Sequence, residues 1–169
     1  MLAVRGARFG AEIGTDHGQY AGQLCQGIPG LKLCCVDPWV AYTEGGEIHT
    51  QKEMDEIYTE AFKRLSPYAC IIERSTSMEA VERWSNDTLD FVFIDGNHEF
   101  PFVYEDIVEW TKKVRPGGII AGHDYTEDPV RKYGVIEAVR KYTEENNIAP
   151  WFVFYGGGRL SPCWMFIKQ

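Results

Sequence analysis

The chain mixes two hydrophobic periods. Short, nearly continuous apolar runs are separated by longer stretches in which apolar residues return every three or four positions. The first kind reads as a buried strand and the second as an amphipathic helix. Strands are predicted at residues 8–13, 31–36, 69–73, 89–94 and 118–122, and helices at 18–26, 51–65, 77–84, 101–114 and 130–145. Breakers mark the joints, among them Gly27-Ile28-Pro29-Gly30, Ser66-Pro67 and Arg115-Pro116-Gly117. Ser77 is placed as an N-cap. Pro101 suits a first helical turn, where its missing N–H is not needed. Strands alternating with helices build a parallel sheet covered on both faces. The last two strands, 151–155 and 163–167, flank Gly156-Gly157-Gly158 and Ser161-Pro162. They have no helix between them, so they should pair antiparallel. The expected fold is α/β: one domain over residues 1–169, with a doubly wound, mostly parallel sheet of seven strands closed by a C-terminal β-hairpin. Residues 39–50 form a long polar connection with Gly45-Gly46, expected to be a mobile lid; Trp39, Tyr42 and His49 either line it or simply pack.

Composition narrows the class. The chain of 169 residues is 44% hydrophobic and 14% aromatic, ample for one folded core. No apolar run approaches the roughly 20 residues that span a bilayer. The start, MLAVRGARFG, is too short and glycine-broken for a secretion signal, so the cytoplasm is the expected compartment. A net charge of −8 with scattered Lys and Arg argues against nucleic acid as a partner, and no membrane partner is expected. The five cysteines are odd in number and include no Cys-x-x-Cys pair. They read as reduced thiols acting as small hydrophobes.

The segment Glu12-Ile13-Gly14-Thr15-Asp16-His17-Gly18 ends the first strand and opens the first helix. Gly14 can turn the chain tightly, and Gly18 permits a close approach. The helix N-terminus then offers free N–H groups to an anionic ligand. Asp37, ending the second strand, can accept both hydroxyls of a ribose. Glycines alone also fit a tight turn without a ligand. Asp16 occupies the middle of what would be Gly-x-Gly-x-x-Gly, which counts against a nicotinamide dinucleotide.

Glu12-x-Gly14-x-x-x-Gly18 with Asp37 resembles the first two motifs of class I S-adenosylmethionine-dependent methyltransferases, and the terminal hairpin resembles that family's addition to a Rossmann-like sheet. The stretches Phe91–Asp95-Gly-Asn-His98 and Pro116–Gly122-His123-Asp124-Tyr125 are similar to the subfamily of catechol-type and macrolide-sugar O-methyltransferases. The resemblance implies that Glu12, Gly14, Thr15 and Gly18 line the methionine part of S-adenosyl-L-methionine. It implies that Asp37 holds the ribose, that Thr76 and Ser77 lie at the adenine edge, and that Asp95 closes the site. Family members usually carry helices before the first strand, so cover is expected from residues 39–50, a partner subunit or further sequence.

Asp95, His98, His123 and Asp124 all fall just beyond the ends of the fourth and fifth strands, where open α/β sheets bind ligands. Two readings stand. Carboxylates and imidazoles around one point can hold a divalent metal, with oxygen favouring magnesium and imidazole favouring manganese, iron or zinc. The same residues can also cap turns and shape a metal-free polar pocket. The resemblance implies Asp95, His123 and Asp124 as ligands of a divalent metal (Mg or Mn), Asp95 and His98 as catalytic residues, and His98 as general base, a role its ordinary pKa suits. The expected activity is methyl transfer to a hydroxyl on a small-molecule acceptor, with a homo-oligomer compatible with it. A non-catalytic cofactor-binding domain and a nicotinamide-dependent dehydrogenase are the alternatives. Trp84, Trp110, Trp151, Trp164 and Tyr125 read mainly as packing residues.

Overall fold

A computed structural model describes residues 2, 6–44, 46–128, 130–131, 133–155 and 161–169. Gly45 and Gly156-Gly157-Gly158, which entered the sequence reading, lie outside the described residues. In chain order the elements are β1 (Phe9–Ile13), α1 (Gln19–Gly27), β2 (Lys32–Asp37), β3 (Tyr42–Glu44), β4 (Glu47–His49), α2 (Gln51–Leu65) and β5 (Ala69–Arg74). There follow α3 (Ser77–Val81), β6 (Leu89–Ile94), α4 (Phe100–Lys113), β7 (Val114–Gly122), α5 (Val135–Glu145), β8 (Trp151–Phe154) and β9 (Cys163–Ile167). The main sheet has seven strands in the order β5-β2-β1-β6-β7-β9-β8. The first five run parallel, and β9 lies antiparallel to both β7 and β8. The expected fold class is the observed one.

Alternate residues of each strand feed opposite faces, as the pleat requires. Ala11, Ile13, Cys34, Val36, Val92, Ile94 and Ile120 pack with Val103, Ile107 and Trp110 of α4 and Val135, Ala138 and Val139 of α5. Leu33, Cys35, Phe91, Ile119 and Met165 face the other way, onto Ala21 and Cys25 of α1 and Leu65 of α2. Strand order reverses between β1 and β6, the crevice position where open α/β sheets take ligands. Among the described residues, no helix is long and apolar enough to cross a membrane.

Three local expectations are corrected. The N-cap of α3 is Thr76 rather than Ser77: the Thr76 hydroxyl accepts from the Glu79 N–H, and the Glu79 carboxylate accepts from the Thr76 N–H at 2.9 Å. This reciprocal pair is a capping box, and it displaces Ser77 into the first turn. Helix α5 begins at Val135, later than position 130, because Asp128 accepts the N–H groups of Val130 and Arg131 and turns the chain there. Gly134 then passes so close to Phe100 that a Cβ would lie 2.5 Å from the Phe100 nitrogen.

The third correction concerns residues 39–50, which hold a small hairpin, β3–β4, with Tyr42 and His49 stacked at 4.4 Å. Trp39 is no lid residue. It is fully buried against Met54 and Ala61, meets Tyr58 edge-on, and donates its indole N–H to the Asp16 carbonyl at 3.1 Å. Its φ of 43° is left-handed, which costs a non-glycine residue about 1–2 kcal/mol. Burial of the indole and the bond from the Trp39 N–H to Asp37 Oδ1 offset that strain.

Candidate active site

The end of β1 carries a buried acid. Glu12 is 2% exposed, and Glu12 Oε2 and Thr15 Oγ1 have no hydrogen-bond partner among the described residues. Burial pushes the Glu12 carboxyl up to about 8; the nearby Thr15 hydroxyl offsets only part of the rise. Buried polar atoms are normally satisfied, so two orphans side by side point to a polar group that completes them. Gly14 follows at φ 88°, and a Cβ there would lie 1.9 Å from the Asp95 carbonyl oxygen. The glycine therefore lets the ends of β1 and β6 close on each other, and the Asp95 N–H bonds the Ile13 carbonyl at 2.7 Å. Gly18, at φ 69°, precedes α1.

At the end of β2, Asp37 Oδ2 accepts from the Asp16 N–H at 2.9 Å and Oδ1 from the Trp39 N–H at 2.8 Å. Burial raises its carboxyl pKa, and these two bonds oppose the rise. Each oxygen keeps a lone pair for a further donor. Past β5, the Thr76 hydroxyl is engaged in its cap. The Ser77 hydroxyl points inward, donating to the Asp106 carboxyl and accepting from the Trp110 indole N–H at 2.8 Å. Burial lifts Asp106 to about 7, the Ser77 bond opposing. The sequence reading missed Asp106. Its signal was its place among Val103, Ile107 and Trp110 on the buried stripe of α4.

The four residues beyond β6 and β7 converge. His98 Nε2 lies 3.0 Å from Asp124 Oδ2 and 3.7 Å from Asp95 Oδ1. His123 Nδ1 lies 3.3 Å from Asp124 Oδ1 and 3.7 Å from Asp95 Oδ1. Burial raises the Asp95 carboxyl, but the His123 and His98 imidazoles beside it outweigh that and hold the group below its ordinary range. Asp124 is likewise held down at about 2: burial opposes, while His98 and Ser161 hydrogen-bond it. The neighbouring Asp95 carboxylate raises His123. The His98 ring stacks on Tyr133 at 4.4 Å, and its carbonyl accepts the Gly134 N–H at 2.8 Å, so the turn before α5 fixes its position.

Asp95, His98 and Asp124 each offer one ligand atom, all within 4.8 Å of one another. The donor set, two carboxylates and an imidazole, suits a divalent transition ion. The resemblance implied His123 as a ligand and His98 as base; both imidazoles stand beside the two carboxylates, His98 at 3.0 and 3.7 Å and His123 at 3.3 and 3.7 Å. Close by, an apolar groove of about 480 Å³ runs along the sheet beside α1, lined by Tyr20, Leu24, Phe91, Phe93, Cys163 and Met165. Burial raises the Tyr20 hydroxyl to about 12; Cys163, Glu12 and Asp95 add to the rise.

Parallel strands ordered about a β1–β6 switch point, with an antiparallel β9 inserted between β7 and β8, give the Rossmann-like sheet of a methyltransferase fold. Residues 11–125 match a family model described as a methyltransferase domain, and the chain belongs to that family. It is 28% identical over 138 residues to the uncharacterized protein y4gI of Sinorhizobium fredii (strain NBRC 101917 / NGR234), a match over 78% of this chain and 14% of that protein's length. In fold it is similar to the O-methyltransferase TomG of Streptomyces achromogenes, involved in tomaymycin synthesis and solved with S-adenosylmethionine. The TM-score is 0.70 at 18% identity over 99% of this chain and 76% of that one. An O-methyltransferase from Bacillus cereus, solved with S-adenosylhomocysteine, gives 0.70 at 19% identity over 99% and 77%.

Proposed function

We propose that this domain methylates a hydroxyl on a small molecule, with a divalent cation held by Asp95, Asp124 and His98. The observation that carries the reading is the convergence of two carboxylates and two imidazoles at the ends of adjacent strands, beside the unpartnered carboxyl oxygen of Glu12. When bound, S-adenosylmethionine supplies an electrophilic methyl on a sulfonium, and the cation supplies Lewis acidity toward the acceptor oxygen.

The chain's own residues do the rest. Glu12 Oε2 and the Thr15 hydroxyl offer polar contacts to the methionine portion, and Asp37, held by two backbone N–H groups, offers its remaining lone pairs to the ribose. Gly14 keeps this half against Asp95, so cofactor and acceptor sites share one wall. Holding reactants in line is the largest contribution such a site makes. His123, at the border of the carboxylate pair, receives the hydroxyl proton. The apolar groove beside Tyr20 and Phe93 suits an acceptor with an aromatic or aliphatic body. The mixed nitrogen and oxygen donors favour manganese over magnesium.

The test is methyl transfer to a panel of hydroxylated acceptors. Activity should vanish in chelator and return with manganese. His98→Ala should weaken manganese binding, whereas His123→Ala should keep the ion and lower turnover about 10²–10⁴-fold, the usual contribution of a general base. Full activity in chelator contradicts the metal; the reverse pattern of the two histidine variants restores His98 as base. Cofactor binding with no transfer to any hydroxyl contradicts O-methylation.

A further inference from the structure

On the sheet face beneath α1, three of the five cysteines meet. Cys25 comes from α1, Cys35 from β2 and Cys70 from β5, and none is in a disulfide. Cys25 Sγ and Cys70 Sγ are 3.6 Å apart. The Cys35 thiol donates to the Leu33 carbonyl, leaving Cys25 as the thiol in contact with the Cys70 sulfur. Cys25 and Cys35 are buried and Cys70 is half-buried, so Cys70 is the sulfur a small reagent can reach. Leu33, Leu65, Leu24, Tyr68 and Ile72 pack around the group.

We propose that Cys25 and Cys70 form a reversible dithiol–disulfide couple whose oxidant is a hydroperoxide, with Cys70 attacking and Cys25 resolving. The Cys70 thiolate attacks the peroxide oxygen, the O–O bond breaks, and Cys70 becomes a sulfenic acid as hydroxide or alkoxide leaves. Cys25, giving up its proton, attacks that sulfur, and the hydroxyl departs as water. Two thiols are thereby oxidised to one disulfide, and the peroxide is reduced to two waters, or to water and an alcohol.

Geometry selects the partner. In the β2–β5 register Cys70 lies opposite Leu33 and Cys35 opposite Ile72, so Cys35 and Cys70 are diagonal neighbours. Strands about 4.8 Å apart with a rise of about 3.3 Å per residue put such Cα atoms about 8 Å apart, beyond what a disulfide bridges. Cys25 approaches from the helix above, and its sulfur must close from 3.6 Å to about 2.05 Å. The polarity of the pair agrees. The neighbouring thiols of Cys35 and then Cys25 hold the Cys70 thiol below its ordinary range despite burial, whereas burial pushes Cys25 up. The thiolate is the nucleophile, so Cys70 reacts first. The bond would tie α1, which follows the Glu12–Gly18 turn, to β5, which leads into Thr76.

The experiment treats the reduced full chain with hydrogen peroxide, alkylates the remaining thiols and maps peptides without reductant. The expected result is a Cys25–Cys70 linked peptide two hydrogens lighter than its parts, reversed by dithiothreitol, with a Tm higher by roughly 5–10 °C in the oxidised protein. Cys25→Ser should leave a Cys70 sulfenic acid that dimedone captures, while Cys163→Ser should still give the Cys25–Cys70 link. A Cys35–Cys70 link, or oxidation at Cys163 with Cys25 and Cys70 both alkylated, would overturn the assignment. So would the absence of any link at excess peroxide. The parent chain's map decides the pairing even if a variant fails to fold.

Discussion

Glu12 enters the core as an acid whose proton is held to about 8, against an ordinary value of 4.5. Between those two values the folded chain binds a proton that the unfolded chain has released. The stability tied to Glu12 is therefore fully present below about 4.5 and is lost as pH rises through about 8. Glu12→Gln stays neutral throughout, so its Tm should fall less over that window than the parent's, while its affinity for S-adenosylhomocysteine drops. Identical pH profiles would show that Glu12 is not desolvated. Asp106, held up by burial to about 7, accounts for part of the remaining slope. Glu12, Asp37, Asp95, His98, His123 and Asp124 were legible in the sequence because each ends or follows an apolar run. The inward turn of Ser77 was not: it depends on α4 presenting Asp106 and Trp110 beneath α3, a contact between elements that no local pattern encodes.

Helix α2 is where the sequence boundaries and the structure agree at both ends. Helix α2 spans Gln51–Leu65 because Thr50 and Glu53 make a capping box at one end and Ser66-Pro67 breaks the other. Thr50→Ala should cost about 1 kcal/mol of stability, the usual worth of a cap, and leave cofactor affinity unchanged. Calorimetry checks both, and a change in affinity would mean that α2 is coupled to the site more tightly than its packing implies. Trp39→Phe makes the opposite case. It removes the indole bond to the Asp16 carbonyl, worth about 1 kcal/mol, and loosens the turn that Asp37 grips from the other side. Both stability and S-adenosylhomocysteine affinity should fall. Unchanged affinity would separate Trp39 from the cofactor turn. Residues 39–50 were misread because β3 and β4 are short and polar, and because Trp39 folds back under its own connection into a pocket made by α2. The start of α5 was misread because the Asp128 side chain claims the N–H groups of Val130 and Arg131.

At the scale of the whole molecule, strand order does what sequence spacing cannot show. β1 and β6 are far apart in the chain yet adjacent in the sheet, and β7 lies beside β6, so Glu12, Asp95 and Asp124 gather at one rim. The alternation of strands and helices foretold that rim, and the pair of strands without an intervening helix foretold the antiparallel end of the sheet. The turn at Tyr133 and Gly134 holds His98 beside the two carboxylates. A calorimetric titration of S-adenosylhomocysteine into the parent chain and Asp37→Ala tests the cofactor assignment most directly. The parent should bind, and Asp37→Ala should bind more weakly by about 1–3 kcal/mol, about 5–150-fold, the scale of hydrogen bonds to a charged group. No heat with S-adenosylhomocysteine but saturable binding of NADH would contradict it.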